Sequence, residues 1–522
     1  MNIGSILSTA AARHPEHIAV IYKGQQRSFR EFNRRANRLA SALRSMGLAK
    51  GDRVAVLQRN CPELMETMFA SFKAGGVVVP INARLHPREY QFIIAHSGAK
   101  FVVFTKEFAE GMAAVRAELP EVSCFIGVDG GASDTLCYDD LLAAGAPDDA
   151  DADTAEGDEC WFFYTSGTTG RPKGAMVTHG NLRFMTDHYL SEVYPLLPQD
   201  MVLHAGPLTH GSGLWMLPIT LGGATQVIND SPSFDPEHIF GLIERHKVSK
   251  IAFVAPTMIT MLLRSPAIAR FDLSSLKFIG YGGANMLVED LKRAIRQWGP
   301  VLCQIYGQGE SPMTISMLER QDHVLSEDPR IEQRLASAGK VRAGISVTVL
   351  DENARPVSVG EIGEVCITGP VVMKGYWRDD VATAEAFKGG IYHTGDLARF
   401  DEDGYLYLLD RKKEMIISGG ANIYPREVEE ILALHPDVVE VAVIGIPDRL
   451  WGESVLALVR PRENAAVSEG SLIALCQENL AGYKKPRYFR FVDDLPKNAY
   501  GKILKRELKQ HYAAEFADVV TP

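Results

Sequence analysis

Nothing in the sequence is long and apolar enough to cross a bilayer, since no run reaches the roughly 18 apolar residues a spanning helix requires. The opening residues, MNIGSILSTAAARHPEH, lack a basic stretch leading into a sustained apolar one, so a secretory leader is not expected. Cysteine is sparse. The seven, at 61, 124, 137, 160, 303, 366 and 476, are scattered and never spaced C-x-x-C. That pattern argues against a zinc knuckle or a disulfide frame and points to a reduced, cytoplasmic protein. Long basic blocks are missing too: 55 Lys and Arg stand against 65 Asp and Glu, a net charge of −10. No nucleic-acid surface is expected, although a few local cations suffice for a nucleotide phosphate. None of these absences bears on peripheral membrane association through an amphipathic surface.

What is present is ordinary globular material, 46% apolar and 23% charged over 522 residues. That length allows three or four units of roughly 150 residues, or one large α/β assembly with an appendage. Ser28-Phe-Arg-Glu31 reads as a capping box, followed by Phe32, Ala36, Leu39 and Leu43 on one helical face, with Gly47 as a stop. Short apolar runs at Val54–Leu57, Gly76–Pro80, Phe101–Phe104 and Cys160–Tyr164 alternate with helical stretches. Such alternation implies crossover connections and a largely parallel sheet. The segment Pro147–Asp158, PDDADADTAEGD, reads as a solvated acidic connector. Beyond residue 340 the pattern turns β-like at Val347–Leu350, Gly363–Ile367 and Tyr405–Leu408. From about 411 a compact α+β unit follows. The expected fold is therefore α/β: a large N-terminal body (residues 1–410) with a β-rich subdomain, and a small C-terminal α+β domain (residues 411–522). No internal repeat is present.

The most informative segment is Tyr164-Thr-Ser-Gly-Thr-Thr-Gly-Arg-Pro-Lys-Gly174. Its glycines let successive amides aim at one anion, its hydroxyls add donors, and Lys173 adds a full charge. It is not a Walker A loop, because Gly170 is followed by Arg171 rather than Lys and Ser or Thr. A polyphosphate that is gripped and later released suits this composition.

This string resembles the signature of the adenylate-forming enzymes: acyl-CoA synthetases, beetle luciferases and peptide-synthetase adenylation domains. Further matching segments are His204-Ala-Gly-Pro-Leu-Thr-His210, Tyr281-Gly-Gly-Ala284, Tyr306-Gly-Gln-Gly-Glu310 and Tyr392-His-Thr-Gly-Asp-Leu397. Asp410-Arg-Lys-Lys413 and Pro496-Lys-Asn-Ala-Tyr-Gly-Lys502 complete the series. Each is short, but their order and spacing together are specific.

The resemblance implies ATP and CoA as co-substrates, Mg²⁺ as cofactor and a small-molecule carboxylic acid as the third substrate. Thr165, Ser166, Gly167, Thr168, Thr169, Gly170 and Lys173 would hold phosphates. Gly282, Gly283, Ala284 and Tyr306 would flank the adenine, Asp396 would accept from both ribose hydroxyls, and Arg411 would reach the nucleotide from the domain junction. Glu310 would hold Mg²⁺, a hard cation that prefers oxygen ligands. Lys502 would lie between the carboxylate and the α-phosphate. Lys173, Glu310 and Lys502 are thus the expected catalytic residues. Lys413 falls at the family's hinge, about which the small domain is mobile, and Ser418, Gly419 and Gly420 would form the CoA tunnel. His210, Gly211, Phe253, Gly307 and Met313 would line the acyl pocket. His210 either gates the carboxylate channel or packs as a neutral imidazole.

One position departs from the family pattern, Tyr-Gly-x-Thr-Glu: residue 309 is Gly. Water or a neighbouring amide replaces the lost hydroxyl, or the space belongs to the substrate. The segment 204–213 contains no Asp to bind an α-ammonium, which argues against an amino-acid adenylation domain. The leading expectation is an AMP-forming acyl-CoA synthetase, active on a medium- or long-chain fatty acid or an aromatic acid and placed in fatty-acid metabolism. The alternative is an acyl-AMP ligase loading a separate carrier protein. A luciferase-like oxygenase comes third. A catalytically silent nucleotide binder would not need both Lys502 and Glu310. The oligomeric state, a homodimer included, is left open by the sequence.

Overall fold

The computed structural model describes residues 1–130, 134–148, 151–165, 172–284, 286–328, 330–419, 421–463, 465, 467–498 and 502–517. Two twisted sheets build the body. The first, of nine strands, runs from the edge Lys340–Val341 through Ser316–Leu318, Leu302–Tyr306, Phe278–Gly282, Lys250–Val254, Met201–His204, Thr225–Ile228 and Ile18–Tyr22 to Gln25–Ser28. Its centre is parallel and its edges antiparallel. The second, of seven strands, orders Leu136–Cys137, Cys124–Val128, Ala99–Thr105, Arg53–Leu57, Val77–Pro80, Glu159–Thr165 and Lys173–Thr178. Only its last pair is antiparallel.

Why these segments become buried strands is visible in Arg53–Leu57. Val54 and Val56 pack into the core between the sheets, while Ala55 and Leu57 pack under helices Pro87–Ser97 and Ala109–Val115 on the other face. Both faces are covered, so the strand reads as continuously apolar rather than alternating. The helix Phe29–Ser45 begins where the sequence places it: the Ser28 hydroxyl accepts from the Glu31 amide at 3.2 Å. It ends two residues before Gly47, which turns the chain at φ 94°.

The acidic segment 147–158 is not simply solvated. Asp151 pairs with Lys73 at 3.0 Å, and the Lys73 side chain is buried inside the body. The Ala152 amide donates to the Lys73 carbonyl at 2.7 Å, and Thr154 is buried. A buried ammonium needs a compensating charge, and this acidic stretch provides it.

A four-stranded antiparallel meander, Ser346–Leu350, Gly363–Thr368, Tyr392–Phe400 and Leu406–Arg411, forms the β-rich part of the body. After it comes a five-stranded sheet made of Ala421–Ile423, Ile416–Ser418, Gly452–Pro461, Val438–Asp448 and Tyr488–Phe491. Val441, Val443 and Val455 pack on one face of this small sheet, and Ala442, Ile444 and Leu456 on the other beside the last helix, Lys505–Ala517. Among the described residues, no helix is long and apolar enough to cross a membrane.

Candidate active site

The functional segments leave the C-terminal ends of neighbouring strands, where open α/β sheets place their ligands. Phe278–Gly282 leads into Gly283 and Ala284, and Leu302–Tyr306 into Gly307–Glu310. The Gly282 backbone lies so close to its neighbour strand that a Cβ there would sit 2.2 Å from the Ile305 carbonyl oxygen, and Gly283 has φ +78°. Glycine is required at both positions, for close approach at the first and for backbone conformation at the second. Thr165 ends one strand and Lys173 opens its antiparallel partner, and the two are register partners. Ser166, Gly167, Thr168, Thr169 and Gly170 lie outside the described residues, as does Gly420.

These segments converge on one cavity of about 2260 Å³ between the body and the small domain. From the expected nucleotide set, Thr165, Lys173, Gly282, Gly283, Ala284 and Arg411 line it, together with Glu310. His210, Gly211, Phe253, Gly307 and Met313 also line it, and the small domain adds Lys413 and Lys502. Ser418 and Gly419 are not on its wall, and Tyr306 and Asp396 stand just behind it.

At one end, Glu310 is buried and its Oε1 accepts from Tyr376 Oη at 2.9 Å and Thr165 Oγ1 at 3.2 Å. Lys173 Nζ lies 5.3 Å from the centroid of the Tyr376 ring and 3.8 Å from Asp379. At the other, the antiparallel register sets Asp396 opposite Arg411, and Arg411 Nε meets Asp396 Oδ1 at 2.6 Å. Asp396 Oδ2 accepts from Tyr306 Oη and from Gln308 Nε2, both at 2.6 Å. Tyr392 Oη donates to Gln308 Oε1 at 2.7 Å. Neighbouring Asp396 raises the Arg411 guanidinium still further, and burial with Asp396 lifts the Tyr306 phenol well above its usual range. The Asp396 carboxylate is thus fixed from three sides, and the Tyr306 ring is pinned through its hydroxyl.

The small domain is docked by polar contacts with the body. Arg264 Nη2 donates to the Val439 carbonyl at 3.0 Å, and Arg426 Nη2 to the Ala336 carbonyl at 3.2 Å. Lys505, paired with Glu429 inside the small domain at 2.8 Å, lies 3.7 Å from Asp410 of the body. Burial holds the Glu414 carboxyl above its ordinary range, opposed by Lys505 and Lys502.

Trp161, Phe163 and His210 give the cavity an aromatic stretch of wall. The Trp161 and Phe163 rings stack at 6.3 Å, and Phe163 meets the His210 ring at 4.9 Å. Enclosure pushes the His210 imidazole down to about 4, so it is neutral near pH 7, and it lines the cavity all the same. A neutral imidazole on the cavity wall is compatible with either expectation for His210. Phe253 lies over Gly211, whose Cβ would come within 2.8 Å of its ring. Met313 is held at φ 55°, a strained conformation for a residue with a side chain.

At Gly309 the sequence leaves open what takes the place of the family's threonine. A Cβ there would sit 2.5 Å from Phe163 Cδ1 and 2.8 Å from Thr165 Cγ2. The volume left by the missing side chain is filled by protein, not reserved for substrate. Phe163, Gln308, Tyr376 and Tyr392 were absent from the expected site. Phe163 and Gln308 lay inside or beside the recognised segments, whereas Tyr376 carries no signal of spacing or composition.

The family of AMP-binding enzymes matches residues 7–377, and the AMP-binding enzyme C-terminal domain matches residues 427–502. The chain belongs to the adenylate-forming acyl-CoA synthetase family. This adenylate-forming chain is 38% identical to a feruloyl-CoA synthase from an Amycolatopsis species over 514 residues, 98% of this chain and 99% of the other. It is 33% identical to an indoleacetate–CoA ligase from Aromatoleum aromaticum over 513 residues, 98% of each. Among solved structures, an anthranilate CoA ligase in complex with anthranoyl-AMP superposes with a TM-score of 0.91 at 25% identity, covering 99% of this chain and 98% of that one. The division into an α/β body and a smaller C-terminal domain is the architecture of adenylate-forming enzymes.

Proposed function

We propose that this chain is an ATP-dependent, AMP-forming ligase that joins a carboxylic acid to CoA through an acyl-adenylate. The observation that carries the reading is the convergence of Thr165, Lys173, Glu310, Arg411 and Lys502 on the wall of one cavity that His210 and Phe253 also line. In the first half-reaction a carboxylate oxygen attacks the α-phosphorus, an O–P bond forms, the bond to the bridging oxygen breaks and pyrophosphate leaves. Lys173 and Lys502 neutralise charge gathering on the phosphates, and Asp396, braced by Tyr306, Gln308 and Arg411, receives the ribose hydroxyls. Mg²⁺ bound with the triphosphate would supply further charge neutralisation. Glu310 suits it, with one carboxylate oxygen engaged by Tyr376 and Thr165 and the other available, because magnesium takes one or two carboxylates and fills its shell with phosphate and water. In the second half-reaction the CoA thiolate attacks the acyl carbon and AMP departs.

The same reading takes residues 1–410 and 411–522 as the two moving bodies, with Lys413 as hinge. Ser418 and Gly419, away from the cavity wall here, would reach the thiol after rotation. An aromatic acid is the favoured substrate class over a medium- or long-chain fatty acid. The Trp161, Phe163 and His210 rings on the cavity wall suit a planar acid, and the feruloyl and indoleacetate enzymes point the same way.

The test is acid-dependent pyrophosphate release with CoA-thiol consumption over acetate, octanoate, palmitate, benzoate and ferulate. Ferulate or benzoate should give the highest kcat/KM. Adenylation without CoA consumption would instead indicate a ligase that loads a carrier protein. No acid-dependent pyrophosphate release would refute the activity.

A further inference from the structure

Tyr376 joins the two charged groups at the phosphate end of the cavity. Its hydroxyl donates to Glu310 Oε1 at 2.9 Å, and its ring carries Lys173 Nζ at 5.3 Å from the centroid. Among the described residues, Glu310 Oε2 accepts no hydrogen bond.

The segment bearing Tyr376 also grips the backbone on both sides. The Met373 amide donates to the Glu310 carbonyl at 2.8 Å. The Met176 amide donates to Gly375, Lys374 to Met176, and Trp377 to Gly174, all between 2.8 and 2.9 Å, so residues 374–377 lie against the strand that begins at Lys173. The Tyr376 amide is itself held by Thr383 Oγ1 at 2.9 Å. A phenol so anchored has little freedom, and the carboxylate it touches inherits that order.

We propose that Tyr376 is a positioning residue for the metal–triphosphate end of the site, an inference that rests on the reading of Glu310 given above. By engaging Oε1 it turns Oε2 toward the cavity, where a divalent cation travelling with the triphosphate is met by a preset oxygen. Its ring keeps the Lys173 ammonium beside the same phosphates. Oε1 cannot swing toward the cation without giving up both the phenol and the Thr165 hydroxyl. The carboxylate would therefore offer the cation one oxygen while the other stays engaged by Tyr376 and Thr165.

The experiment is equilibrium ATP binding by calorimetry, without acid, across a Mg²⁺ series and in EDTA, on the full chain and on Tyr376→Phe, Glu310→Gln and the double variant. Phe retains the ring, its packing and its contact with Lys173, and a thermal melt checks folding. In Tyr376→Phe the Mg²⁺ concentration for half-maximal ATP binding should rise about tenfold, the size expected for removing one hydrogen bond to a charged acceptor. Binding in EDTA should stay within about twofold, because that hydrogen bond acts only through the metal ligand. Glu310→Gln should abolish most of the Mg²⁺ dependence, and adding Tyr376→Phe to it should change nothing further. Equal weakening of ATP binding with and without Mg²⁺, or full additivity with Glu310→Gln, would overturn the positioning role and leave Glu310 as the metal ligand. Full Mg²⁺ dependence retained in Glu310→Gln would overturn the Glu310 reading, and the Tyr376 proposal with it.

Discussion

Restoring the family's side chain at position 309 should harm this enzyme. Gly309→Thr places a Cβ 2.5 Å from Phe163 Cδ1 and 2.8 Å from Thr165 Cγ2, where carbon atoms prefer about 3.5–4 Å. The ring must therefore retreat by about an ångström, and the free direction left to it is into the cavity it lines. Phe163 is buried between Trp161 and His210, with ring centroids at 6.3 and 4.9 Å. Overpacking of this kind costs about 1–3 kcal/mol. If that cost falls on the closed, substrate-bound state, kcat/KM drops by about one to two decades. The displaced ring also pushes on His210, which sits in the cavity whatever acid is bound. The loss should therefore be similar for benzoate, ferulate, octanoate and palmitate. The assay is kcat/KM over that series with a melting temperature for each variant. Adding Phe163→Ala should recover much of the loss in melting temperature by removing the obstructing ring. A Gly309→Thr enzyme with unchanged melting and activity would refute the reasoning. So would a penalty that climbs with acid size and ignores Phe163→Ala.

Lys502→Ala should slow pyrophosphate release far more than thiolysis of a supplied acyl-adenylate, because its charge serves the α-phosphate step. Lys413→Pro should do the reverse, since a fixed φ obstructs rotation at the junction; equal slowing of both half-reactions by both variants would exclude two working conformations. Acid should destabilise the fold through His179, His204, His210 and His323, each pushed down by burial to about 4. Unfolded chains protonate these rings near pH 6.5, so their contribution is intact above that pH and falls away toward pH 4, at about 1.4 kcal/mol per pH unit for each ring. Urea unfolding between pH 7 and 5 measures the slope, and His323→Asn should flatten it by one ring's share; an unchanged slope would contradict its burial as a neutral group.

Much of the fold and site was legible along the chain. The strand at Glu159–Thr165 announces itself through local apolarity, because strand burial is a property of a few consecutive residues. The Ser28 cap is local in the same way. The family motifs brought Asp396, Glu310, Arg411 and Lys502 into one expected site, and Arg411 finds Asp396 through simple cross-strand register.

Tertiary structure decided the rest. Asp151 belongs to a stretch that reads as solvated, yet it neutralises Lys73, a residue 78 positions earlier that helix packing buries. At Gly309 the sequence left the space to water, an amide or the substrate, and Phe163, on a strand of the other sheet, stands against it. Tyr376 lies 66 residues after the carboxylate it orients, on a segment without a distinguishing pattern. Composition and periodicity determine which face of an element is buried. They do not determine which side chain from a distant element arrives there, because that depends on how separate sheets seat against each other, and close packing then admits only one occupant for each space.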